Sequence, residues 1–289
     1  MTTCVALMRN QIDRILIGVN MHTLRMLMLS SILLCAAAMS AMAQQSDLHV
    51  IVEVKEGCVI GGVQNRQWVA AEKFENSIKA PLNLELYTIL DHKTQTFISE
   101  DAECHLWWKP QGATELKAGV AIQTPNWNPV PRTPRAISTQ DPTYVSLIRN
   151  ILMSAGLKKP RVNITEAYKI DLDGDGQDEA VLVASNFKHG VSELTGVGHA
   201  TAAGDYALVL IRKIVAGKVQ NIFLVKDVRH GTNEGGLPRG YHISTIADLN
   251  GDGRMEMALY SAYHEGSSSD IFELNGSKFK AVLGCGCEH

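Results

Sequence analysis

Apolar and polar residues alternate with a period of two from Leu48 onward, the spacing of strands that bury one face. Residues 48–54, 58–63, 68–71, 82–90 and 96–99 read this way, with Gln64-Asn65-Arg66 as a turn, and together predict a small N-terminal β-rich unit over 44–118. The pattern lapses at 119–140, where Pro125, Pro129, Pro131 and Pro134 stand among few apolar residues. Proline blocks helix and central-strand pairing, so this stretch is expected to be an extended linker. The period then changes. Tyr144, Leu147, Ile148, Ile151, Leu152 and Ala155 fall on one helical face, with Asp141 as N-cap, Pro142 in the first turn and Gly156 as the stop.

Beyond the helix the strand pattern returns twice in the same order, within a region assigned to 141–289. Residues 162–170 and 180–185 flank an acidic loop, and 206–214 and 219–225 pair across Ala216-Gly217-Lys218. Residues 242–247 and 257–262 flank a second acidic loop, and 271–274 and 279–283 pair across Asn275-Gly276-Ser277. Each unit reads as a four-stranded antiparallel meander with its loop inside a hairpin. Two copies are few for a closed propeller, which needs about four blades. The expected fold is therefore mainly β with one or more helices (α+β), its antiparallel meanders arranged as a partial propeller-like stack or a sandwich covered by the helix.

The two loops carry the chemistry. The first runs Asp171-Leu172-Asp173-Gly174-Asp175-Gly176-Gln177-Asp178-Glu179 and the second Asp248-Leu249-Asn250-Gly251-Asp252-Gly253-Arg254-Met255-Glu256. Positions one, three, five and nine offer side-chain oxygen in both, and position seven, Gln177 or Arg254, can offer its carbonyl. Calcium takes roughly 6 to 8 hard oxygens in a flexible cage, which such a curled loop supplies; magnesium demands a tighter octahedron, and no soft ligand suits zinc. Four carboxylates in the first loop should repel one another without a cation. With Asn250 in place of one of them, the second loop is expected to repel itself less. Leu172 and Leu249 can anchor each loop to the core.

An EF-hand would place an acid at position twelve, at the start of a helix, but Leu182 and Leu259 occupy it inside strand-like runs. The pattern instead resembles the calcium loop of FG-GAP and VCBS-type repeats. The match falls on Asp171, Asp173, Asp175 and Glu179, and on Asp248, Asn250, Asp252 and Glu256, and covers each loop and its following strand. The resemblance implies structural calcium and an extracellular setting, not an activity.

The N-terminus agrees with export. Arg25 precedes the apolar run 26–38, and Ala41-Met42-Ala43 has the small-x-small form of a cleavage site, so 21–43 reads as a signal peptide and 1–20 as a mis-called upstream start. Cleavage would leave no stable membrane span, and Cys35 lacks the small residue before it that lipidation needs. The expected location is periplasmic or extracellular. There Cys58, Cys104, Cys285 and Cys287 would form disulfides in one of three pairings, and a bond from Cys285 or Cys287 to Cys58 or Cys104 would tie the last strand to the first unit. The formal charge is −3, without a Lys/Arg run, which argues against nucleic acid as a partner.

Other candidate chemistry is weaker. His189, His199, His230, His242 and His264 lie near the Gly-rich connections 186–204 and 229–240, without zinc-ligand spacing, and no serine sits in a nucleophile elbow. The Cys285-Gly286-Cys287-Glu288-His289 tail fits disulfide cysteines better than a metal site, and Trp107 and Trp108 fit a core better than a sugar platform. The leading expectation is a secreted, calcium-stabilised binding or adhesion-like module without catalysis, facing an extracellular protein or glycan. The alternatives are a secreted or periplasmic hydrolase with its site in the His-containing loops, and a purely structural envelope protein.

Overall fold

A computed structural model describes residues 48–101, 106–112, 118–187, 201–232, 238–263 and 266–288. The leader expected at 1–43, together with Cys104, His189, His199, His264 and His289, lies outside the described residues. The compact unit His49–His289 is built from three antiparallel sheets and a single α-helix among the described residues. The fold is therefore mainly β, as the period-two pattern predicts.

The first sheet contains β1 (Leu48–Glu53), β2 (Val59–Gln64), β3 (Gln67–Val69), β4 (Leu82–Tyr87), β5 (His92–Asp101), β6 (Leu106–Pro110) and β7 (Val120–Ile122), in lateral order β3-β2-β1-β7-β4-β5-β6. β7 falls within the segment expected to be linker, yet it is the middle strand. It pairs with β1 through Ile51↔Ile122 and with β4 through Leu86↔Ala121, and its three residues are fully buried. The apolar triplet Val120-Ala121-Ile122 ends before the first proline, Pro125, so all its backbone donors remain for the ladder. Trp108 is buried, as a core residue should be.

Downstream come β8 (Arg135–Ala136), α1 (Pro142–Ser154), β9 (Ile164–Ile170), β10 (Glu179–Ser185), β11 (Tyr206–Val215) and β12 (Lys218–Val228), then β13 (Gly240–Ala247), β14 (Glu256–Tyr263), β15 (Gly266–Asn275) and β16 (Lys278–Glu288). The second sheet is ordered β12-β11-β10-β9-β8 and the third β13-β14-β15-β16. Each holds a four-stranded meander, with an acidic loop joining its first two strands. The Asp141 carboxylate accepts from the Thr143 amide and caps α1, and Gly156 at φ +98° follows its end.

Three apolar contacts stack these elements. Tyr144, Ile148, Ile151 and Leu152 of α1 cover Ala180, Leu182, Leu208 and Leu210 of the second sheet. The alternate residues of the same strands, Val181, Val183, Val209 and Ile211, meet Ile243, Met257 and Leu259 of the third. The opposite side of the third sheet, including Ala258, Ile271 and Leu283, meets Ile51, Ile60, Val120 and Ile122 of the first. The order is thus helix, sheet, sheet, sheet. β10 and β11 are apolar on both faces because each is covered twice, and each fully buried aliphatic side chain contributes about 1.5–3 kcal/mol. Cys58 and Cys285 form a disulfide between the first and third sheets. Beside it Gly61 (φ +145°) admits Leu283, which a Cβ would meet at 2.7 Å.

Candidate metal centre

The two acidic loops have the same internal geometry. In the first, Asp171 Oδ1 accepts from the amides of Gly174 (2.7 Å) and Asp175 (3.1 Å), and Oδ2 from Gly176 (3.0 Å). In the second, Asp248 Oδ1 accepts from Gly251 (2.7 Å) and Asp252 (3.1 Å), and Oδ2 from Gly253 (2.9 Å). Asp175 and Asp252 accept from the amides of Gln177 and Arg254, each at 2.8 Å. Position nine closes both loops: Glu179 accepts from Leu172 N at 2.8 Å and Glu256 from Leu249 N at 2.7 Å. The glycines at positions four and six adopt φ of +78° and +84° in the first loop and +78° and +88° in the second, which a Cβ would oppose.

Position-nine glutamates and position-two leucines are buried, while Asp175, Gln177, Asp252 and Arg254 are exposed at the loop tips. Carboxylate oxygens of Asp171, Asp173 and Glu179 lie within 4.8 Å of one another and can hold a metal ion. The donor set is hard oxygen throughout, and Asp173 Oδ1 is buried without a hydrogen-bond partner, which fits a cation ligand. In the second loop the same three positions supply Asp248, Asn250 and Glu256, two carboxylates and an amide oxygen, all buried.

The loops touch. Met255 N donates to Leu172 O at 2.8 Å, and the Arg132 guanidinium spans them, donating to Asp171 O at 2.6 Å and Gly253 O at 2.8 Å. Trp127 covers Gly251, where a Cβ would come within 3.0 Å of its ring, and its indole donates to Asp248 O at 2.7 Å. Pro129 O accepts from Asp248 N at 2.8 Å, and Arg135 pairs with Asp178. The proline-containing segment is therefore a strap over both loops. Its sequence signals only extended chain, because the contacts of Arg132 and Trp127 span 39 to 121 residues.

The electrostatics of the loops differ in the opposite sense to that expected from Asn250. Lys213 of β11, only 6% exposed, places its Nζ 2.7 Å from Glu179, 2.9 Å from Asp173 and 3.8 Å from Asp175. Burial works against the ammonium, but Glu179 and Asp173 outweigh it and hold the Lys213 pKa above its ordinary value. Burial pushes Glu179 up, and the Lys213 and Leu172 donors pull it back. The register Met257↔Phe272 puts Glu273 beside Glu256, where Ala180↔Arg212 puts Lys213 beside Glu179. Glu256, 1% exposed, is pushed up to about 9, by burial first and then by Asp252, Asp248 and Glu273 against the relief of the Leu249 amide. Among the described residues no cationic side chain pairs with Asp248, Asp252 or Glu256.

No protein-family model, no curated protein and no solved structure matches the chain.

One further feature adjoins the second loop. A cleft of about 470 Å³ is lined by Glu85, Tyr87, Asp91, His92 and Trp127 beside the strap prolines, and Tyr87 stacks on His92 with ring centroids 5.8 Å apart. Elsewhere, His242 Nδ1 lies 2.8 Å from Glu166 Oε1, and Tyr168 donates to the other oxygen at 3.4 Å. Of the histidines singled out from sequence, His242 and His230 are described, and His242 pairs with the Glu166 carboxylate. Among the described residues no helix is long and apolar enough to cross a membrane, a statement that does not bear on β-barrels.

Proposed function

We propose that this chain is an exported module in which loops of the FG-GAP/VCBS kind take calcium as a structural ion, bracing one end of the sheet stack for binding rather than catalysis. The observation that supports it most is the duplication of one loop geometry, amide by amide, in two hairpins whose donors are hard oxygens. The disulfide Cys58–Cys285 is compatible with an oxidising compartment. The cleft beside the strap, where aromatic rings adjoin Glu85 and Asp91, is the candidate surface for an extracellular protein or glycan. Binding there would be coupled to the second loop, since Trp127 belongs to both.

The test is thermal unfolding of the metal-stripped protein, titrated with calcium and separately with magnesium. A calcium-specific rise in midpoint is expected, lost in the double variant Asp173→Ala/Asp252→Ala. An unchanged midpoint would reduce both loops to acidic turns and end this reading. The hydrolase alternative has one observation in its favour, the imidazole of His242 braced by Glu166, an arrangement suited to a general base. Turnover of a glycan or ester panel that His242→Ala abolishes would establish it over the binding module.

A further inference from the structure

The two loops differ in the one residue that faces position nine from the neighbouring strand: Lys213 in the first and Glu273 in the second. This is a reversal of charge at structurally equivalent sites. Lys213 Nζ is held by three acids of the first loop, at 2.7, 2.9 and 3.8 Å, on a stem buried to 6% exposure. An ammonium so placed contacts the Asp173 and Glu179 carboxylates that a metal would ligate, and brings the positive charge that the cluster otherwise lacks. A divalent ion entering there would have to displace this buried lysine or add its own charge beside it.

The second loop presents the complement. Glu256 uses one oxygen for the Leu249 amide, and its Oε1 accepts from no described group. Asp248, Asp252 and Glu273 add negative charge around it, and among the described residues no cationic side chain pairs with Asp248, Asp252 or Glu256. Glu273 is oriented by the Trp68 indole, so its charge is held in place. Carboxylates gathered this way, with Asp248 and Glu256 both almost completely buried, are strongly unfavourable unless a cation or a proton neutralises them.

We propose that Lys213 is the resident cation of the first loop and that the chain therefore takes up a single divalent ion, at the second loop. This rests on the metal-loop reading above and refines it: one loop is braced by a lysine of its own, and only the other depends on the calcium supply. Loss of calcium would loosen the second loop and the Trp127 and Pro129 contacts made to Asp248, and leave the first loop standing.

Calcium titration calorimetry on the full chain, stripped of metal and checked for folding by circular dichroism, decides the matter. The wild type should bind one ion per chain. Asp173→Asn should still bind one, and Asp252→Asn should lose at least tenfold in affinity. Lys213→Met should bind two. Glu273→Lys, which gives the second loop a lysine of its own, should bind none and remain folded, and it serves if Lys213→Met fails to fold. Two ions in the wild type, or a single ion removed by Asp173→Asn and not by Asp252→Asn, would overturn the proposal and leave the calcium reading intact. No ion in either the wild type or folded Lys213→Met would overturn both.

Discussion

The first and second loops share their backbone hydrogen bonds to within 0.1 Å and differ in how their charge is answered. The lesson is that loop geometry and the charge that meets it are separable. The geometry follows from residues inside the loop, an aspartate whose two oxygens gather three amides and glycines that permit the left-handed turns. The charge follows from a residue outside it, delivered by an adjacent strand, Lys213 in one case and Glu273 in the other. A buried carboxylate outside both loops supplies a third case. Glu53 accepts from the amides of Lys55 and Glu56, as Glu179 and Glu256 accept from Leu172 and Leu249, but it belongs to neither acidic loop, and burial pushes it up to about 7.

The comparison breaks most sharply at Lys213. Replacing it by Met leaves Glu179 and Asp173 without their counter-ion, a loss of about 3–5 kcal/mol for a buried pair broken on one side. Urea denaturation in chelator should show this drop, and calcium should restore part of it. Glu273→Gln, the matching change in the other loop, should raise the metal-free stability, since it removes repulsion.

Glu53 sets the size of an uncompensated burial. Its pKa is raised in the folded state, so the fold holds a proton that the unfolded chain releases above about 4.5. Stability should therefore fall by about 1.4 kcal/mol per pH unit between about 4.5 and 7 and level off beyond. The slope measured by denaturation at pH 5, 6 and 7 should be shallower in Glu53→Gln. An unchanged slope would show that other groups dominate it.

Calcium at about a hundred times its dissociation constant should add about 2.7 kcal/mol to the wild type. The same addition to Asp252→Ala should add close to nothing. Smallest, Arg132→Ala removes donors to Asp171 O and Gly253 O and should cost about 1.5 kcal/mol. Amide exchange should then quicken in both loops together; exchange confined to one would mean that the strap does not couple them.

Much of the architecture was legible because it is local. The runs 206–214 and 219–225 around Ala216-Gly217-Lys218 became β11 and β12, with Ala216 and Gly217 at positive φ in the turn. The Asp141 cap and the apolar face of α1 followed from spacing alone. The loop residues were legible too, since alternate acids and glycines at fixed intervals dictate where oxygens and turns fall. β7 was not, because three apolar residues make no periodic signal and their place between β1 and β4 depends on strands about 70 and 35 residues earlier. The roles of Lys213 and Glu273 were hidden for the same reason, since each looks like an ordinary charged residue in a strand until the register sets it beside position nine.

Sequence by itself determined the meanders, the helix, the duplicated loops and the hard-oxygen donor set, all of which depend on residues within a few turns of one another. Only the tertiary structure decided which loop carries its own cation, how the strap spans both, and which cysteines join. Those outcomes depend on strand register and sheet stacking, which bring together groups far apart in the chain and fix the sign of the charge that each buried carboxylate meets.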